Sequence, residues 1–175
     1  IPPDNFITVA EREGLIGELS QLLVATALAE AAKLFAAGFP LKVAINLSGT
    51  WLNDLSLPEF ILSKTRAAGL QSADVILEVT ETGVMEDLTT ALDVLSRLRL
   101  KGFGLSIDDF GIGYSSFEQL GLIPFTEMKL DRSFVNKGAE DAAARAILES
   151  SMDMAHKLSL STVAEGVETE LDLKL

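Results

Sequence analysis

Carboxylates and one amide gather where short apolar runs of this chain give out. The run LKVAINLS reaches Asn46, and VILEVTE carries Glu78 and Glu81. FGLSIDDF carries Asp108 and Asp109, and LSTVAEGVE carries Glu165 and Glu168. Between these last two, FTEMKLD ends on Lys129 and Asp131. Oxygen ligands suit hard divalent cations. With one lysine among them, the set reads as a divalent-metal hydrolase site, provided that the fold brings the residues to one place.

The elements between these runs say how that happens. Glu18 to Ala37 reads as a helix, with Leu19, Leu22, Leu23, Ala27, Ala31 and Leu34 near one stripe and Gly38 and Pro40 ending it. Strands are expected over 41–47, 75–79, 103–107, 125–130 and 159–164. Helices are expected from Pro58 to Gly69, along the Leu88, Leu92, Leu95, Leu98 stripe, over 115–120 and 141–158, and from about Thr169. Strand–helix alternation implies parallel strands joined by crossover helices, and parallel strands all end at one face. A doubly wound sheet and a barrel both fit this order. An open sheet draws its site from the few strands at a switch point, whereas here successive strands each offer a polar group. The expected fold class is therefore α/β, a TIM-type (β/α)8 barrel. Five strands do not close such a barrel, so the barrel is expected to be incomplete in this chain.

Each residue also has a plainer explanation. Asn46 can end a strand with an Asx-turn. Asp108 and Asp109 can be a solvated turn, Lys129 can snorkel from a strand end, and Glu165 and Glu168 can favour a helix N-terminus. Glu78 is harder to dismiss, because it follows apolar residues where an unpartnered acid is costly. These explanations weaken together, since all the residues fall at one end of the strands.

Composition narrows the class. The chain has 175 residues, 48% of them hydrophobic, which suits one domain with a sizeable core. Its mean hydropathy is +0.31. A net charge of −12 leaves no basic face for polymeric nucleic acid, although bound cations can invert the charge of a small site. The absence of cysteine excludes disulfides and thiolate chemistry and fits a cytoplasmic domain. The most apolar helix is interrupted by Ser20, Gln21, Thr26, Glu30 and Lys33, so no membrane segment is expected. Asp109-Phe110-Gly111 spells a kinase motif, but no other kinase motif accompanies it. Gly111 to Ser116 lacks the third glycine of a dinucleotide fingerprint and reads instead as a tight loop over the acids. His156, the one histidine, lies deep in a helix and is expected to be a surface or packing residue. Tyr114 and Phe117 suit either contact with a base or core packing.

Several segments together resemble the EAL domain, the cyclic di-GMP phosphodiesterase family of bacteria. They are PPDNFITVAEREGLI, AINLS, LEVTETGVM, IDDFGIGYSSFEQL, MKLDRSFV and VAEGVET, in family order over essentially the whole chain. The resemblance implies a two-metal site holding Mg or Mn on Asn46, Glu78, Asp108 and Asp109, with Asp109 shared by the pair. It implies that Lys129 and Glu165 act beside the attacking water and the phosphate. Glu81 is implied as the anchor of the loop from Asp109 to Ser116, bonding N–H groups between Phe110 and Ser116. The implied reaction hydrolyses cyclic di-GMP to linear pGpG in second-messenger signalling. The alternative is a catalytically inactive EAL domain that acts as a cyclic di-GMP receptor or protein-interaction module.

By the same resemblance, residues 1–175 are a partial EAL domain, the central βα units of the barrel. The glutamate–alanine–leucine motif that names the family is expected before residue 1, and the closing strands after Leu175. Ile112 departs from the family's usual threonine. Alone, the chain is expected to expose strand edges near Val43 and Val163, to associate or unfold readily and to turn over little substrate. A sensor, receiver or cyclase domain fused in the parent protein, a membrane anchor there and a homodimer complete the expectations.

Overall fold

Five short runs form the sheet: β1 (Val43–Asn46), β2 (Val75–Thr80), β3 (Gly104–Phe110), β4 (Glu127–Leu130) and β5 (Ser161–Ala164). The structure, a computed structural model, describes residues 2–110, 121–138 and 141–174. Every neighbouring pair is parallel and the spatial order is the sequence order, β1 to β5. A doubly wound sheet would reverse its order at a switch point. This order never reverses, which makes the sheet a five-strand arc of a TIM-type barrel wall. β1 and β5 are its edges, and all four residues of β5 are exposed.

Register divides the strands into two faces, because paired residues share a face and successive residues alternate. One face carries Ile45, Val75, Leu77, Val79, Leu105, Ile107, Met128 and Leu130, all buried. The helices cover this face. They are α2 (Ile16–Ala36), α3 (Leu57–Ala67), α4 (Glu81–Met85), α5 (Leu88–Leu100), α6 (Arg132–Gly138) and α7 (Ala142–Lys157), while α1 (Pro3–Arg12) packs against α2 instead. Val24 and Leu28 of α2, Ile61 of α3, Leu95 and Leu98 of α5 and Leu148 of α7 complete one continuous core with it. The other face carries Asn46, Glu78, Thr80, Ser106, Asp108, Glu127 and Lys129. Polar residues on that face, at the strands' C-terminal ends, make the site.

Local signals set where the helices begin and end. Pro58 sits in the first turn of α3, where a missing N–H costs nothing. Asp87 caps α5 by accepting from the Thr90 N–H at 3.2 Å, and Gly102, at φ +92°, ends the turn beyond it. Asp141 caps α7 by accepting from the Ala143 N–H at 2.8 Å. Thr169 and Asp172 exchange side-chain-to-backbone bonds, and a 3-10 turn, Asp172–Lys174, stands where a helix was expected from about Thr169. The helix expected over 115–120 lies outside the described residues.

The face of α2 differs from expectation. Ser20, Val24, Leu28 and Ala31 are its buried stripe, whereas Leu22, Leu23 and Leu34 are exposed. The helix is apolar on most sides, so periodicity alone could not select the packed one. By length and composition α2 is long and apolar enough to cross a membrane, contrary to expectation. In the structure, Val24 and Leu28 pack it into the core. α1, α4 and α6 were not anticipated; α4 and α6 are only 5 and 7 residues long, too short for a periodic pattern to emerge.

Candidate functional site

Lys129 is the hub of the polar face. It lies on β4, flanked in sequence by the buried Met128 and Leu130, so its own side chain points to the opposite side. Its Nζ is 2.6 Å from Glu165 Oε1, 3.1 Å from Asp108 Oδ1 and 3.3 Å from Glu78 Oε1. Three carboxylates from three other segments of the chain thus meet one ammonium. Glu78 comes from β2 and is buried, and Asp108 comes from the central strand β3. Glu165 follows β5 directly; its N–H donates to the Leu130 carbonyl at 3.0 Å and extends the ladder by one residue. Asn46, exposed at the end of β1, is in register with Glu78 and shares its face.

A bulge in β3 explains how two adjacent acids serve one site. Ile107 pairs with Met128 and Phe110 pairs with Leu130, so Asp108 and Asp109 together stand opposite Lys129. One extra residue in a strand re-aims the side chains around it. Asp109 takes the left-handed conformation, φ 55°, and its N–H donates to Asp108 Oδ1 at 3.1 Å. In a regular strand the two acids would point to opposite faces.

The electrostatics are those of crowded acids with too little positive charge. Burial raises the pKa of Glu78, with Lys129 opposing and Asp108 and Glu165 adding to the shift. Burial likewise raises Asp109, reinforced by Asp108, Asp131 and Glu165. Burial alone would depress Lys129, but the carboxylates of Glu165 and Asp108 outweigh it and hold the ammonium well above the usual lysine range. Lys129 thus sits as an ammonium clasped by carboxylates.

Other anticipated residues divide. Glu81 is 4% exposed at the start of α4, whose N-cap Thr80 accepts from the Gly83 N–H. Most of the loop that it was expected to anchor, 111–116, lies outside the described residues, as do Ile112, Tyr114 and Phe117. Glu168 is exposed and its N–H donates to Asp172 at 3.2 Å, away from the lysine hub. Asp131 accepts from the Ser133 N–H at 2.9 Å at the start of α6. His156 is exposed on α7, as expected. Three residues of the polar face were missed, Thr80, Ser106 and Glu127. Counting by twos from Glu78, Asp108 and Lys129 would have found them. The Ser106 hydroxyl is fully buried and, among the described residues, has no hydrogen-bond partner.

Among the described residues, no three acids or histidines stand close enough to hold a metal by themselves. Lys129 occupies the space between the carboxylates. The donor set still fits a hard divalent cation: it offers oxygen ligands only, with three carboxylates gathered around a single ammonium.

The chain is similar to known proteins along nearly its whole length. RocR, a cyclic di-GMP phosphodiesterase of Pseudomonas aeruginosa, is 37% identical over 170 residues, 97% of this chain and 43% of RocR. MucR of the same organism, a bifunctional diguanylate cyclase/cyclic di-GMP phosphodiesterase, is 36% identical over 97% of this chain and 25% of MucR. The chain thus spans less than half the length of these curated relatives. The solved phosphodiesterase of MucR in complex with c-di-GMP superposes with a TM-score of 0.93 at 35% identity, covering 99% of this chain and 71% of that one. A Klebsiella pneumoniae protein solved as a manganese/cyclic di-GMP complex superposes at 0.82 with 32% identity, covering 89% of this chain and 40% of that one. The EAL domain family matches residues 1–175, and the chain belongs to that family.

Proposed function

We propose that this domain acts as a metal-dependent phosphodiesterase that opens cyclic di-GMP to linear pGpG. The observation that carries the reading is the Lys129 hub: one fixed cation and three carboxylates within 3.3 Å at the C-terminal ends of parallel strands. The likeness to phosphodiesterases that act on this dinucleotide supports the substrate.

Asn46, Glu78, Asp108 and Asp109 would hold two divalent cations, Mg or Mn. Bound there, the cations would supply Lewis acidity that lowers the pKa of water and offsets charge on the phosphate. Lys129, held charged, donates to a phosphate oxygen and steadies negative charge that grows on it. Glu165, whose side chain is 34% exposed and the most open of the three carboxylates, faces arriving water and accepts its proton. Water adds to phosphorus, one bond from phosphorus to a ribose oxygen breaks, and that oxygen takes up a proton. Glu81 anchors the loop beyond Asp109.

Residues 1–175 are read as the central βα units of the catalytic domain, working in the cytoplasm. The names of MucR, a cyclase as well as a phosphodiesterase, and of DosP, an oxygen sensor protein of Escherichia coli, support a fused cyclase or sensory partner. Purified full-length protein, incubated with cyclic di-GMP and Mn or Mg, tests the activity by chromatography of the products. Loss of the cyclic dinucleotide with appearance of linear pGpG is expected. Tight binding without turnover in the metal-loaded protein would instead make the domain a receptor.

A further inference from the structure

We infer that Gly166 is a positioning residue that sets the reach of Glu165 to Lys129 through contact with the first turn of α6. Gly166 takes φ +69°, a conformation that side-chain-bearing residues rarely adopt. Its open α-carbon also faces the neighbouring helix at very short range. A Cβ placed there would lie 2.6 Å from Arg132 Cβ, 3.4 Å from Arg132 Cα and 3.4 Å from Asn136 Oδ1. The first contact is with the root of a side chain on a helix, so it cannot be relieved by turning a flexible tip.

The consequence falls on Glu165. Its own N–H is pinned to the Leu130 carbonyl at 3.0 Å, and α6 starts two residues after Leu130. The chain leaving β5 is therefore held between the end of β4 and the start of α6. Glycine lets it turn closely against that helix, and the Glu165 carboxylate then meets Lys129 at 2.6 Å. A methyl group at position 166 must push this turn outward or displace α6. Either shift lengthens the shortest contact of the hub, while Glu78 and Asp108, on other strands, keep theirs.

The inference rests on the proposed phosphodiesterase reading for its kinetic arm only. In the full-length protein, Gly166→Ala is expected to lower kcat about 100-fold and to leave KM within about threefold, the pattern of a misplaced reacting group. Its crystal structure is expected to show the Glu165–Lys129 contact broken, with those of Glu78 and Asp108 intact. Arg132→Gly introduced together with Gly166→Ala removes the Cβ on the other side. The double variant is expected to recover the contact and at least about tenfold of the lost turnover. If Gly166→Ala proves insoluble, recovery of soluble protein and of the contact in the double variant carries the same meaning. A Gly166→Ala structure that keeps the short contact, or a double variant no better than the single one, overturns the inference. Absence of turnover in the unsubstituted protein would reject the phosphodiesterase reading and leave the structural comparison decisive.

Discussion

Lys129→Met isolates what the hub contributes to stability. At an effective dielectric constant near 20, unit charges at 2.6, 3.1 and 3.3 Å attract by about 5–6 kcal/mol each before desolvation is counted. The lysine side chain is only 13% exposed, so burial offsets much of that gain. Removing one partner of a buried pair still costs about 3–5 kcal/mol, because the acids left behind repel one another without a counter-charge. Glu165, at 34% side-chain exposure, is partly screened, which favours the lower end, about 3 kcal/mol. In a domain of this size that corresponds to a fall in Tm of about 6–12 °C, measured without metal near neutral pH. The pH dependence has a definite sign. Glu78 already has a raised pKa, and loss of Lys129 removes the group that opposes the rise. An acid whose folded pKa is raised destabilises the fold above that pKa, and the penalty disappears as pH falls through it. The deficit of Lys129→Met should therefore shrink as the solution is acidified. A melting shift below about 1 °C, or a deficit that grows in acid, would refute the view that the carboxylates depend on Lys129.

Other perturbations reach separate parts of the account. Ser106→Ala removes a buried hydroxyl without a partner among the described residues and should be neutral or stabilising by up to about 1 kcal/mol in urea unfolding; a clear loss would reveal a bond that the geometry does not show. Leu95→Ala, at a fully buried position of α5, should cost about 2–5 kcal/mol in the same assay, and a cost under 1 would contradict its place in the core. Asp141→Ala should cost about 1 kcal/mol through loss of the α7 cap, with Asp141→Asn close to neutral. Glu81→Ala should lower turnover at limiting Mg while metal affinity stays near that of the unsubstituted protein; full activity there would remove its anchoring role.

Much of this was legible because strand and helix signals are local. Val75 to Val79 reads as a strand from its apolar run, and Pro58 and Asp141 mark helix starts by chemistry that acts within a few residues. Convergence of Glu78, Asp108, Lys129 and Glu165 followed from parallel strands sharing one end. The bulge at Asp108 and Asp109 was not legible, because it depends on how Phe110 pairs with Leu130 across strands. The packed face of α2 was hidden by a helix apolar on most sides. Ser106 and Glu127 escaped notice because attention to strand ends overlooked the alternation that carries the same polar face one step deeper. The close approach of Gly166 to Arg132 is a tertiary contact with no trace in local pattern.

Hydrolysis of cyclic di-GMP by the full-length protein, followed by chromatography with Mn or Mg, with chelator, and with Glu78→Gln, tests the central claim most directly. The account predicts conversion to linear pGpG that requires metal, stops on chelation and falls at least about 100-fold in the variant. Metal-loaded, folded protein that binds the dinucleotide and leaves it intact would contradict the account, as would turnover indifferent to chelation and to Glu78.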